Sequence, residues 1–226
     1  MILRMMSLLV ALLSLGQAAI VRYESEMNLG GYLFLVNRER PISADYVPPD
    51  LVRPDVKSTS DAVLMRHDAA RALEKMFLAA KEEENYTLIA VSGYRSYATQ
   101  SSIFSRKVSN VGRKNALLYV APPGCSEHQL GLAMDLGARR NTSLEASFGD
   151  TDEGKWVAQN CWRFGFILRY RDEWTPVTGY AYEPWHVRYV GEEHAARIFE
   201  ADIPFETYIA QIREAMFAYL VQGGER

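Results

Sequence analysis

The 226-residue chain is 48% hydrophobic, 12% aromatic and 23% charged, which excludes a disordered or low-complexity protein and fits one globular domain with its own core. A formal charge of -3 offers none of the clustered basic surface that nucleic-acid binders carry, so no nucleic-acid partner is expected. Two cysteines, Cys125 and Cys161, are too few for a disulfide scaffold, and both are expected as buried thiols.

In chain order, Arg4 precedes the apolar run Met5 to Leu15, and Gly16-Gln17-Ala18-Ala19 follows with small residues. This is the pattern of a secretory signal. The run is shorter than the about 20 apolar residues of a membrane span, so residues 1–19 read as a cleaved signal peptide rather than a retained N-terminal anchor, and any membrane association is confined to them. The protein is then exported to the periplasm, cell envelope or medium. Residues 20–226 read as a single domain.

From Val21 to Val56 the chain is rich in Pro, Asn and Gly around Tyr32-Leu33-Phe34-Leu35-Val36, predicting a short strand and an extended arm, because prolines exclude a long helix. Asp68 is placed to cap a helix with Ala69, Leu73, Met76, Phe77 and Ala80 on one stripe. Thr87 to Val91 reads as a buried strand ending at Ser92-Gly93, and Tyr97 to Val108 as a polar helix carrying Gln100. Gly112 to Asn115 reads as a basic turn. Asp152 to Phe164 is helical with Gly165 as its stop, Phe166 to Tyr170 is a strand, and a second strand ends the run Gly179 to Val190. Glu192 to Glu200 and Phe205 to Leu220 complete the prediction as helices.

The chemistry concentrates in two stretches. Cys125-Ser126-Glu127-His128-Gln129-Leu130-Gly131-Leu132-Ala133-Met134-Asp135 sets an imidazole and a carboxylate in an apolar, glycine-punctuated run, and Glu183-Pro184-Trp185-His186 supplies a second pair. His128, Asp135 and His186 make a His/Asp/His ligand set for zinc, with one position left for water. Glu183, restrained near His186 by Pro184, suits the base that takes a proton from that water. A Cys125/His128 pair is a rival metal site on spacing alone, and either histidine could instead be a core residue. His67 and His194, on charged helical patterns, read as solvated. Arg95, at a strand end, is either a surface ion pair or a fork for a substrate carboxylate.

Together these residues resemble the VanY-type D-alanyl-D-alanine carboxypeptidases, relatives of lysostaphin-like endopeptidases and the hedgehog zinc domain. The resemblance rests on Ser126-x-His128-x-x-Gly131-x-Ala133-x-Asp135, Glu183-x-Trp185-His186 and the upstream Ser92-Gly93-Tyr94-Arg95-Ser96. It implies an α+β single domain in which a small antiparallel sheet floors a zinc cleft between flanking helices, with a core of about residues 35–191 and C-terminal helices over 192–222. It also implies Zn2+ held by His128, Asp135 and His186, catalysis by Glu183, and substrate binding by Arg95, Gln100 and Ser126. The implied substrate is the stem peptide of peptidoglycan, cleaved by a D,D-carboxypeptidase, an L,D-carboxypeptidase or a D,D-dipeptidase. A non-catalytic peptidoglycan-binding module with a structural zinc is the remaining reading.

Overall fold

A computed structural model describes residues 17–223; the expected signal segment therefore lies almost wholly outside the described residues. Helix α1 (Gln17–Met27) leads into a long arm, a two-stranded ribbon of β1 (Leu51–Val52) and β2 (Met65–Arg66), and helix α2 (His67–Glu84). The main sheet takes β3 (Leu88–Ser92), β4 (Ala133–Ala138), β5 (Phe166–Tyr170) and β6 (Glu183–Tyr189) in the order β3-β4-β6-β5, every pair antiparallel. Helix α3 (Tyr97–Tyr119) joins β3 to β4, helix α4 (Asp152–Asn160) precedes β5, and the one-turn α5 (Thr175–Thr178) precedes β6. Helices α6 (Glu192–Ala201) and α7 (Phe205–Gly223) close the described chain. This is the expected α+β domain.

One sheet face packs on α2. Ala69, Leu73, Met76 and Ala80, the predicted stripe, meet Leu88, Ala90, Met134, Leu136 and Val187 in one cluster with Cys161 and Trp156. A second cluster joins α1, α6 and α7 through Tyr23, Met27, Ile198, Phe205, Tyr208 and Ile212 to Ile167 of β5.

Several local expectations need correction. Tyr32 to Val36 is not a strand. It is a turn at Tyr32-Leu33 followed by an irregular segment; Leu33 to Val36 are buried, and the Tyr32 and Phe34 carbonyls accept from the Arg188 guanidinium instead of a neighbouring strand. Asp68 lies in the first turn of α2, not at its cap, which is Arg66. Gly112 does not end α3 but breaks it with φ 77°, and the helix resumes through the predicted turn. His194 is buried, not solvated: its ring meets the Tyr208 hydroxyl at 2.7 Å and the Glu26 carboxylate at 3.0 Å, fastening α1 onto α6 and α7. Cys125 and Cys161 are both free and buried.

Two consequences are measurable. An added Cβ at Gly93 would sit 2.2 Å from the Leu64 carbonyl oxygen, so Gly93→Ala should lower the unfolding free energy by about 1–3 kcal/mol in a denaturant titration; an unchanged midpoint would mean that the Leu64 backbone gives way. Burial pushes the Cys161 thiol up to about 12, so it should resist alkylation in the native protein and react only after denaturation, as read by intact mass.

Candidate active site

Antiparallel pairing sets Asp135 of β4 directly opposite His186 of β6, and their side chains meet, His186 Nδ1 to Asp135 Oδ1, at 3.0 Å. On the other side of β4, Ser92 of β3 is the register partner of Asp135 because the ladder shifts between Ala90 and Ser92. A bulge of this kind re-aims side chains at the end of a strand. His128 arrives from a 3-10 turn, Glu127–Leu130, which ends on Gly131 at φ 66°. A side chain there would strain the backbone and press on Leu51 and Arg66. The turn is pinned from both directions: Arg95 N–H donates to the His128 carbonyl at 3.2 Å, and His128 Nδ1 meets the Gly93 carbonyl at 2.7 Å.

That last contact fixes the imidazole. With Nδ1–H donating to a carbonyl, Nε2 carries the lone pair and turns inward. It is fully buried and has no hydrogen-bond partner, although Asp135 Oδ2 lies 3.3 Å away. A buried, unpartnered imidazole nitrogen is costly unless something accepts its lone pair. One ligand atom from each of His128, Asp135 and His186 lies within 4.8 Å of the others, and two imidazoles with one carboxylate are a zinc donor set. The residues fit the metal. Cys125 is not in the cluster, which removes the rival Cys/His site among the described residues.

Glu183 lines the same cleft of about 240 Å3, with Arg95, Ser126, Tyr170, Tyr180 and Trp185. His186 lies three positions after Glu183, an offset that would point them to opposite faces of a regular strand. The β5–β6 ladder is irregular at this point: Leu168 pairs with Val187, but Tyr170 pairs with Glu183. The local loss of alternation lets base and ligand share the cleft.

The electrostatics separate the carboxylates. Burial raises the Glu183 carboxyl to about 8, His186 opposing and Asp135 assisting. Burial would raise Asp135 too, but His128, His186 and Arg95 hold it well below the usual carboxylate range. His128 is lowered to about 4 by desolvation and the Arg95 charge. For His186 desolvation is overcome by its hydrogen bonds to Asp135 and Glu127, which raise it to about 9.

Of the residues expected to bind substrate, Arg95 and Ser126 reach the cleft wall and Gln100 stands behind. Arg95 donates from Nε to Gln100 Oε1 at 3.0 Å and from Nη1 to Ser92 Oγ at 2.9 Å and Asp135 Oδ2 at 3.2 Å. Gln100 spends its amide on the Ala121 carbonyl at 2.7 Å and is buried. Its place is to aim Arg95. Ser126 is the N-cap of the 3-10 turn, its hydroxyl accepting from His128 N.

Glu127 was missed by sequence reasoning. Its Oε2 lies 3.1 Å from His186 Nε2, while Oε1 accepts from Arg169 Nε and Arg188 Nη1, both at 2.9 Å. Its position beside His128 was the available signal, but a glutamate in a turn reads as solvated until its arginine partners are known.

The VanY family model, described as D-alanyl-D-alanine carboxypeptidase, matches residues 62–192. The Bacillus subtilis (strain 168) protein YodJ is 44% identical over 196 residues, spanning 84% of this chain and 71% of that protein. Among solved structures, the LdcB LD-carboxypeptidase superposes with a TM-score of 0.76 at 46% identity, covering 81% of this chain and 88% of LdcB. A vancomycin-resistance D,D-pentapeptidase, a VanY mutant in complex with Zn(II), gives 0.66 at 34% identity, covering 79% of this chain and 98% of that one. This chain belongs to the VanY family of D-alanyl-D-alanine carboxypeptidases.

Proposed function

We propose that the protein is a zinc-dependent carboxypeptidase that removes the terminal D-alanine of peptidoglycan stem peptides, outside the cytoplasm. The observation that carries this reading is the unpartnered His128 Nε2 facing Asp135 and His186 in the cleft that also holds Glu183. The signal-like residues 1–19 support export.

His128 through Nε2, Asp135 through its carboxylate and His186 through a ring nitrogen would hold the ion. A zinc bound there supplies a Lewis acid and brings the ionisation of a water ligand to about pH 7. Glu183 handles the protons. Its carboxylate takes one from the attacking water as the water oxygen bonds to the scissile carbonyl carbon, and returns it to the amide nitrogen as the C–N bond breaks and D-alanine leaves. Burial raises the proton affinity of this carboxyl to about 8, close enough to neutrality for it both to accept and to donate a proton. Arg95 has no hydrogen bond on Nη2 among the described residues, which leaves that nitrogen for the terminal carboxylate of the substrate. Ser126, on the same wall, lies within the cleft to assist.

The D,D reading takes a pentapeptide stem ending in D-Ala-D-Ala. The 46% identity to LdcB, against 34% to the D,D-pentapeptidase, favours a second reading, L,D-cleavage of a tetrapeptide stem. Mass spectrometry of defined muropeptides after digestion separates them: loss of one alanine from pentapeptide, tetrapeptide or both, abolished by a chelator and restored by zinc, is expected. Release from neither stem by zinc-loaded protein overturns the proposal.

Glu183→Gln should cut turnover by about 100-fold or more, the scale of one general acid–base contribution, with zinc content unchanged; full activity would leave zinc in a structural role. Arg95→Ala should impair stems with a free terminal carboxylate far more than amidated ones, and equal loss on both would assign Arg95 to holding Asp135 alone.

A further inference from the structure

The molecule buries a second charged constellation just behind the ligands. Glu127, Arg169 and Arg188 are 2%, 1% and 0% exposed. Arg169 gives its remaining guanidinium edge to both carboxylate oxygens of Glu206 on α7, at 3.0 and 2.5 Å. Arg188 completes its donors on the backbone: Nη2 to the Tyr32 and Phe34 carbonyls at 2.9 and 3.0 Å, and Nε to the Tyr189 carbonyl at 3.0 Å. The carboxylate between them is thus gripped on Oε1 by two fixed guanidinium groups, and its free oxygen, Oε2, points at His186 Nε2.

Such a triad is not explained by stability. Buried Arg–Glu–Arg sets pay several kcal/mol of desolvation per ion and can often be replaced by apolar residues without loss. What the arrangement delivers is direction. His186 has two ring nitrogens, one facing Asp135 Oδ1 and one facing Glu127 Oε2. A carboxylate on the far nitrogen of a ligating histidine fixes both the ring and the tautomer.

We infer that Glu127 is a positioning residue of the metal site, which holds Nε2–H of His186 and thereby commits Nδ1 to the ion, with Arg169 and Arg188 as its frame. The inference rests on the zinc reading of the cluster. Arg169 and Arg188 are themselves held by Glu206 of α7 and by the Tyr32 and Phe34 carbonyls of the arm.

Zinc affinity, measured by chelator competition, tests it on the full chain. Glu127→Gln keeps the shape but offers an amide where two arginines and an imidazole all require an acceptor, and should weaken affinity 10- to 100-fold. Glu206→Gln, in the same buried network but touching no ligand, should stay within about threefold of the parent, since its effect on the ion passes only through Arg169. Histidine 15N NMR of the unsubstituted, zinc-loaded protein should show His186 metallated at Nδ1 and protonated at Nε2. Unchanged affinity in Glu127→Gln, equal loss in Glu206→Gln, or metal on His186 Nε2 overturns the inference while the zinc reading stands. The NMR result does so even if Glu127→Gln does not fold. A parent protein that binds no zinc overturns the zinc reading, and the inference with it.

Discussion

The register of β4 against β6 is the constraint on which the cleft depends. Met134 pairs with Val187, and the next step along the ladder pairs Asp135 with His186. Met134 and Val187 are wholly buried in the core beneath the sheet. Because side chains alternate, seating that apolar pair in the core directs the Asp135–His186 pair to the opposite face. A one-residue slip of either strand would place an ionisable group among Leu73, Met76 and Leu136, at a cost no neighbouring donor there could offset. Core packing therefore sets the geometry of the polar site, and the site needs no separate device to bring its first two members together.

The histidine–aspartate–histidine set could be named as a candidate because residue type carries its chemistry, while spacing alone left a Cys125/His128 pair open and the motif resemblance favoured the set. Strands β3, β5 and β6 and the stripe of α2 were legible for a similar reason, since their hydrophobic periods survive in one dimension. What escaped depends on partners far away in the chain. Glu127 is 42 residues from Arg169 and 61 from Arg188, so its burial cannot be read from its neighbours. His194 sits on a charged helical pattern and is buried among partners from other elements, Glu26 of α1, 168 residues earlier, and Tyr208 of α7. Glu183 and His186 line one cleft, and the irregular ladder opposite Tyr170 that accompanies this leaves no trace in periodicity.

Three buried carboxyl groups surround His186, and the fold gives each a different environment. Asp135 is kept ionised by two imidazoles and Arg95, Glu127 by two arginines, whereas Glu183 has no cationic side chain bonded to it among the described residues and desolvation prevails. Pushing proton affinities apart in this way assigns roles, since a carboxylate with a settled charge can ligate or orient while one near neutrality can carry a proton. The same logic explains why Gln100 is spent on Arg95. A guanidinium held at Nε and Nη1 keeps its remaining edge in one direction and loses less freedom when it meets an anion.

The supporting network also bears on where the functional unit ends. The family match at residues 62–192 contains His128, Asp135, Glu183 and His186, and the frame arginines as well. Glu127 and the Tyr189 carbonyl, which take part of the arginines' donors, lie inside it, but the rest of their acceptors lie outside: the Tyr32 and Phe34 carbonyls on one side and the Glu206 carboxylate on the other. A chain limited to the matched range would keep every proposed ligand and yet leave two buried guanidinium groups short of acceptors, a loss that costs more than the net worth of the bonds themselves. The arm and α7 are therefore not an appendage to the matched range. They close the electrostatics that let the sheet carry charge beneath the cleft.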